Sequence, residues 1–198
     1  MEDLVEFLKR VGPEYFLEPL RPHIRTKHLK KSEYLARAGT VFREMYFVKK
    51  GGCVMYYLEG GKEVVTQFFF EGELMCDHYS FLTGRPSNQF VRMLEDTTVE
   101  SLDDETIRQL YDEIPGLERI SRLLTERTCV RLMFTLASHK NDSAEVRYRK
   151  LLIQRPQLFQ RVPQYLIASY LGITPVGLSK VRKRLSGNPK GGSFIKRV

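Results

Sequence analysis

This chain of 198 residues lacks tryptophan, has three cysteines, and has no acidic residue after position 145. Cys53, Cys76 and Cys129 are widely spaced without a CxxC pair, which argues against a disulfide framework or a cysteine-rich metal site. No segment approaches the roughly 18 consecutive apolar residues that cross a bilayer, and the first residues lack the apolar core of a signal peptide. We therefore expect a cytoplasmic protein with no membrane partner and no bound metal.

The sequence also lacks the motifs of an enzyme. Its four histidines (His23, His28, His78 and His139) are scattered, so no cluster of two histidines and a carboxylate is evident. A phosphate-binding loop, a nucleophile elbow and paired catalytic carboxylates are also missing. We therefore predict no catalytic residue.

Charge is distributed unevenly along the chain. Residues 146–198 contain twelve Lys or Arg and no Asp or Glu, whereas the other 145 residues contain 20 basic and 24 acidic side chains. A surface of one sign attracts a polyanion, most commonly DNA phosphate. A basic tail that aids solubility, or a contact with RNA, would have the same charge.

The pattern within this basic block favours DNA. Pro163 can occupy a first helical position, and Gly172 is suited to end that helix in a left-handed conformation. Thr174 then offers an N-cap hydroxyl, and Pro175 a new first position. Two helices joined by so short a turn, the second one basic, are typical of a helix-turn-helix whose second helix enters the major groove. An ordinary helical hairpin with a charged face is the alternative.

Roles follow from this geometry. We expect Thr174 and nearby backbone N–H groups to hold a phosphate, and Val176, Gly177 and Lys180 to face the base edges. Leu178, Val181 and Leu185 would face inward. Upstream, Arg147, Arg149 and Lys150 either contact phosphate or lie on a solvated face, and 186–193 is predicted to be a loose, turn-rich segment. The predicted DNA-binding residues are Thr174, Val176, Gly177, Ser179, Lys180, Arg182, Lys183 and Arg184.

The first part of the chain has the pattern of strands. Residues 46–72 are rich in β-branched and aromatic side chains and are interrupted by two glycine pairs, 51–52 and 60–61, which predict hairpin turns. Residues 91–102 predict a further strand pair that turns near Glu95 and Asp96. Many short strands indicate an antiparallel barrel or jelly roll.

A long helix is predicted to follow the strands. From Leu117 to Ala137, apolar residues recur at helical spacing over about 20 residues, or roughly 30 Å. Such a helix either braces its own domain or forms half of a dimer contact. We favour a homodimer, because helix-turn-helix proteins commonly pair across a two-fold axis.

A jelly roll, a long helix and a helix-turn-helix, in this order, resemble the CRP/FNR family of bacterial transcription regulators. Two motifs carry the resemblance: Gly72-Glu73-Leu74 in the barrel and residues 167–174 (IASYLGIT). The implied fold is α+β, with a cyclic-nucleotide-binding-like β-roll at 1–115, a dimerisation helix at 116–138 and a winged helix-turn-helix at 139–198. The implied function is regulation of transcription on double-stranded DNA, with RNA polymerase as a further partner.

The resemblance also implies where an effector would bind. Family members that bind cyclic AMP place an arginine against the cyclic phosphate, but residues 87–89 (SNQ) stand in its place here. Glu73, Arg85, Ser87 and Asn88 would line the pocket if a nucleotide bound; otherwise Glu73 is expected to cap nearby backbone. The sequence therefore assigns no cofactor with certainty. We expect neither a cyclic nucleotide, nor haem on His78 beside Cys76, nor an iron–sulfur cluster. The alternative function is a cyclic-nucleotide-binding regulatory module that acts on a protein partner.

Overall fold

The computed structural model describes residues 2–186. Residue contacts divide the chain into two units, Met1–Arg131 and Leu132–Val198. The division falls inside one long helix. The predicted domain limits at 115 and 138 therefore remain a prediction, while the wing and the turn-rich segment after Ser186 lie outside the described residues.

The first unit is built on two four-stranded antiparallel sheets, in the order β1-β8-β3-β6 and β2-β7-β4-β5. This architecture confirms the predicted jelly roll. The strands are β1 Arg25–Leu29, β2 Tyr34–Ala36, β3 Glu44–Lys50, β4 Gly52–Glu59, β5 Lys62–Phe70, β6 Leu74–Met75, β7 Phe90–Met93 and β8 Thr97–Asp103.

One of the predicted hairpins is confirmed. β4 and β5 pair with Glu59 opposite Lys62. Gly60 and Gly61 between them have φ of 56° and 77°, as a two-residue turn with positive φ requires.

The other two predicted hairpins are wrong. β3 and β4 lie in different sheets, as do β7 and β8, so Gly51 and Asp96 mark crossings from one sheet to the other. The two crossings touch, because a Cβ on Gly51 would lie 2.6 Å from the carbonyl oxygen of Asp96. Alternation along a strand shows that it has a buried face, but it does not show which sheet the strand joins.

Two apolar clusters fill this unit. One lies between the sheets and includes Val48, Met55, Phe69 and Val91. The other joins the N-terminal helices to Phe47 and to the helices that follow β8. The unit's helices are α1 Leu4–Val11, α2 Leu17–Leu20, α3 His78–Thr83, α4 Asp104–Glu113 and the first part of α5 Leu117–Asn141.

The long helix α5 has 25 residues, several more than the sequence predicts. Its first turns brace their own domain: Leu117 is buried, and Ile120 and Leu124 pack against the second cluster. The second unit continues with α6 Ala144–Gln154, α7 Leu158–Arg161, α8 Gln164–Tyr170 and α9 Pro175–Ser186. Among the described helices, none is long and apolar enough to cross a membrane.

Candidate nucleic-acid interface

Helices α8 and α9 are joined by a tight turn. α8 begins one residue later than predicted, because Pro163 is its N-cap with ψ of 138°. At the other end, Gly172 has φ of 65°, the left-handed conformation that ends a helix. The N–H of Ile173 donates to the carbonyl of Ala168 over 3.0 Å, and Ala168 is fully buried. The small side chain lets the chain fold back closely here.

The start of α9 is capped as the sequence predicts. The Thr174 hydroxyl accepts a hydrogen bond from the N–H of Gly177 at 3.0 Å, and Pro175 is the first helical residue. A Cβ on Gly177 would lie 3.3 Å from that hydroxyl oxygen. Glycine therefore leaves room for the cap. Because Pro175 has no N–H and those of Gly177 and Leu178 bond to Thr174, the N–H of Val176 is the one that the first turn leaves for a ligand.

The faces of α9 divide as expected. Leu178 and Val181 are buried, and Leu185 is half-buried. On the outer side, Val176 is 65% exposed, and Ser179 and Lys180 are exposed while Gly177 is half-buried. Further along, the structure exposes the three consecutive basic side chains of Arg182, Lys183 and Arg184. Of these, Lys180, Lys183 and Arg184 have the i, i+3, i+4 spacing of one helix face, so α9 presents one basic face.

Three basic residues of α6, for which the sequence leaves a phosphate contact or a solvated face open, each have a partner inside the protein. The Arg147 guanidinium donates to the carbonyl oxygens of Leu171, at 2.8 and 3.2 Å, and of Asp142, at 2.6 Å. Arg149 pairs with Glu145 at 2.9 Å and Lys150 with Asp142 at 2.7 Å. The sequence cannot reveal the Arg147 contacts, because Leu171 lies 24 positions away.

The four residues proposed for an effector pocket differ in their burial and in their hydrogen-bond partners. A carboxylate oxygen of Glu73 accepts from the N–H of Phe70 at 2.8 Å, which is the backbone cap expected of a structural carboxylate. Arg85 and Asn88 have exposed side chains, and Asn88 accepts from the Gln89 amide at 3.2 Å. Ser87 alone is buried, at 3% exposure.

The hydroxyl of Ser87 donates to a carboxylate that the sequence interpretation missed. Asp77 is 9% exposed; it accepts this bond and, at 3.1 and 3.4 Å, the N–H groups of Tyr79 and Ser80 at the start of α3. Ser80 then links the carbonyl of Arg85 to the N–H of Phe42. The signal in the sequence that could have identified Asp77 is an aspartate at the N-cap position of a short helix.

The network of Ser87 and Asp77 determines whether a cyclic phosphate could bind at this position. Ser87 stands where the resemblance implies an arginine in family members that bind cyclic AMP, and its hydroxyl already donates to the buried carboxylate of Asp77. A phosphate there would meet a second negative charge in a poorly solvated place, without a guanidinium to offset it. The residues present do not fit a cyclic nucleotide.

A small cavity lies between the β-roll and α5 within the first unit. Its volume is about 30 Å³, and its lining includes Cys76, His78, Gln67, Thr128 and Arg131. That is room for about one water molecule, far too little for a porphyrin. Burial lowers the pKa of His78, an effect to which the charge of Arg131 adds. Within residues 2–186, no group of three or more His, Cys, Asp or Glu is placed to hold a metal ion.

The later part of α5 exposes apolar side chains. Val130, Leu132, Met133, Phe134 and Leu136 are between 43% and 67% exposed, and Cys129 is also exposed. A run of this kind on a helix marks an interaction surface.

Comparison with known proteins agrees with this fold. The model of the cyclic nucleotide-binding domain family matches residues 26–113. The chain is 28% identical over 174 residues to the fumarate and nitrate reduction regulatory protein of Vibrio cholerae, covering 81% of this chain and 68% of that protein. It is 25% identical over 179 residues to the transcriptional activator protein Anr of Pseudomonas aeruginosa, covering 83% and 71%.

A solved structure has the same architecture. A CooA mutant from Carboxydothermus hydrogenoformans superposes with a TM-score of 0.68 and 19% identity, covering 94% of this chain and 85% of that one. Identity at this level shows the fold alone.

Proposed function

Because this chain belongs to the CRP/FNR family of bacterial transcription regulators, we propose that it binds double-stranded DNA as a homodimer and regulates transcription. The observation that carries the proposal is the capped α8–turn–α9 unit, which turns one exposed basic face of α9 outward. The relatives in Vibrio cholerae and Pseudomonas aeruginosa, named as a regulator and a transcriptional activator, support it. We propose that RNA polymerase is a further partner, since regulators of this kind act on transcription, and that the chain is not an enzyme.

Each exposed residue of α9 has a role in this proposal. Thr174, through its hydroxyl proton, and the N–H of Val176 hold a phosphate. Val176 contacts a thymine methyl group, Lys180 reaches a base edge, and Gly177 lets the backbone approach the groove. Ser179 has a secondary role, and its hydroxyl bonds to the carbonyl of Pro175 at 3.1 Å. Arg182, Lys183 and Arg184 contact phosphates further along.

The homodimer is proposed to form through α5. Cys129, Leu132 and Leu136 recur at spacings of three and four, which is the period of a coiled-coil seam. All three are exposed, whereas Leu117, Ile120 and Leu124 are used by the helix's own domain. A second copy of α5 would cover this seam.

The β-roll is proposed to scaffold the dimer or to sense an effector other than a cyclic nucleotide. Any such effector must bind the DNA-competent state better than the other state, because only a difference in affinity shifts the equilibrium. A change in the α5 pair would then reposition the two recognition helices.

The test is binding to DNA selected by the protein itself. A duplex is selected from a random library with the wild-type chain, and its affinity and that of a scrambled duplex are measured by fluorescence anisotropy. We expect Lys180→Ala to weaken binding to the selected duplex by about 1–3 kcal/mol and binding to the scrambled duplex much less, with an unchanged melting temperature. Equal losses on both would make Lys180 a phosphate contact.

The rival function predicts a different result. A regulatory module that acts on a protein partner would select no duplex, and cyclic AMP or cyclic GMP would bind saturably in a calorimetric titration. Failure to enrich any duplex would therefore contradict the proposal directly.

A further inference from the structure

The ends of two helices meet at one guanidinium. Asp142 directly follows α5, and its N–H still donates to the carbonyl of Ser138 at 2.9 Å, so it continues the helical bonding. Leu171 is the C-cap of α8. The carbonyl oxygens of both residues accept hydrogen bonds from Arg147, at 2.6 Å for Asp142 and at 2.8 and 3.2 Å for Leu171.

These are carbonyls that a helix leaves without an internal partner. The last turn of a helix carries a partial negative charge, which a cation stabilises. A planar guanidinium can serve two such ends at once, because its N–H groups diverge at fixed angles, whereas a lysine ammonium is a point donor on a flexible stem. Leu171 is 2% exposed, so its carbonyl has little access to water as a replacement.

Neighbouring side chains also make contacts at this junction of α5, α6 and α8. The side chain of Asp142 accepts from the Ser138 hydroxyl and from Lys150 of α6 at 2.7 Å. His139, on the last turn of α5, faces the α8–α9 turn: a Cβ on Gly172 would lie 3.8 Å from its Nδ1. The last turns of α5 and the helix-turn-helix are thus fastened at several points within the second unit.

We propose that Arg147 is a positioning residue for DNA recognition, which fixes the direction of the α8–α9 pair relative to the last turns of α5. The inference rests on the proposed function, since its consequence appears when two copies read two half-sites. In a homodimer joined through α5, this clamp sets the separation of the two recognition helices. It therefore determines which half-site spacing is bound.

The first experiment measures the preference for spacing. Three duplexes are compared: the selected two-half-site duplex, the same half-sites moved apart by about two base pairs, roughly a fifth of a turn, and a single half-site. For Arg147→Gln we expect the preference for the selected spacing to fall by about tenfold or more, since one hydrogen bond to a charged group corresponds to at least that factor. Affinity for the single half-site should change much less, since it loses only the long-range attraction of one charge.

Two further variants separate positioning from charge. Arg147→Lys keeps the charge but cannot span both carbonyls, so it should lose the spacing preference as Arg147→Gln does; a phosphate contact would instead be rescued by lysine. Arg149→Gln removes the same charge two residues further along α6 and should keep the preference. An unchanged preference in both Arg147 variants, or an equal loss on all three duplexes that lysine restores, would overturn the proposal.

A second experiment needs no DNA and decides the matter if wild-type protein selects none. Amide hydrogen exchange is compared between the wild-type chain and Arg147→Lys. We expect faster exchange at Asp142, Gly172 and Ile173, whose N–H bonds lie at the junction, and no change at Val162, which bonds to Leu158 in α7. Equal exchange at the three junction amides would show that no clamp exists, whatever the outcome with DNA.

Discussion

Replacing Leu136 by glutamate should separate the two copies of the chain. Leu136 is 58% exposed and lies on the predicted α5 seam. Fully burying a leucine side chain contributes about 1.5–3 kcal/mol. With the exposed part covered in both copies, the substitution removes roughly 2–3 kcal/mol of dimer stability, before the unfavourable burial of two carboxylates is added.

This loss corresponds to a rise in the dimer dissociation constant of about 100-fold. Sedimentation equilibrium over a range of concentrations measures it directly. Phe134→Glu is the matched control: it adds the same charge to the same helix at a side chain that is 67% exposed but lies outside the three–four spacing. We expect it to leave the dimer largely intact.

The same two variants also show which results would contradict the proposed dimer contact. If Phe134→Glu dissociates the dimer and Leu136→Glu does not, the contact uses the other exposed stripe of Val130, Met133 and Phe134. If both variants remain dimers, α5 is not the contact. If the wild-type chain is monomeric at every accessible concentration, the proposal that a dimer binds two half-sites is contradicted.

Three other results are expected. Asp77→Ala should lower the free energy of unfolding by about 2–4 kcal/mol, because it leaves the Ser87 hydroxyl and two N–H groups without their acceptor; Asp77→Asn should lose less in the same urea titration. His78 has a lowered pKa, so the folded state resists its protonation and stability falls as pH drops below about 6.5; His78→Gln should flatten that fall, and an unchanged pH profile would contradict it. On a single half-site, Lys183→Gln should reduce the log–log salt slope by about 0.9, whereas Arg147→Gln should leave the slope unchanged.

Local signals were sufficient for the helix-turn-helix. Gly172, Thr174 and Pro175 act on the backbone within a few residues of themselves, so their positions predict where α8 ends and α9 begins. The burial of Leu178 and Val181 follows from the same spacing. Neither depends on a distant part of the chain.

Features that depend on distant residues were not predictable in the same way. Gly51 and Gly60 give equally good turn signals, yet only the second joins paired strands, because the first lies where the chain changes sheets. Asp77 lies ten residues before Ser87, and no periodicity connects them. Sequence spacing reports what a residue can do locally, whereas the partner it finds depends on topology.

The basic block shows why net charge alone overstates the contact with DNA. Arg147, Arg149 and Lys150 carry one quarter of its twelve positive charges, and each has a partner inside the protein. Their charge still contributes to the long-range attraction of a polyanion, because attraction through solvent depends on charge rather than on contact. Direct contact with phosphate requires a side chain that can leave its present position, and Arg147 would give up two helix ends to do so. Lys180, Lys183 and Arg184 of α9 are exposed and meet that requirement with less loss. Attraction is therefore a property of the whole basic block, whereas recognition belongs to one helix.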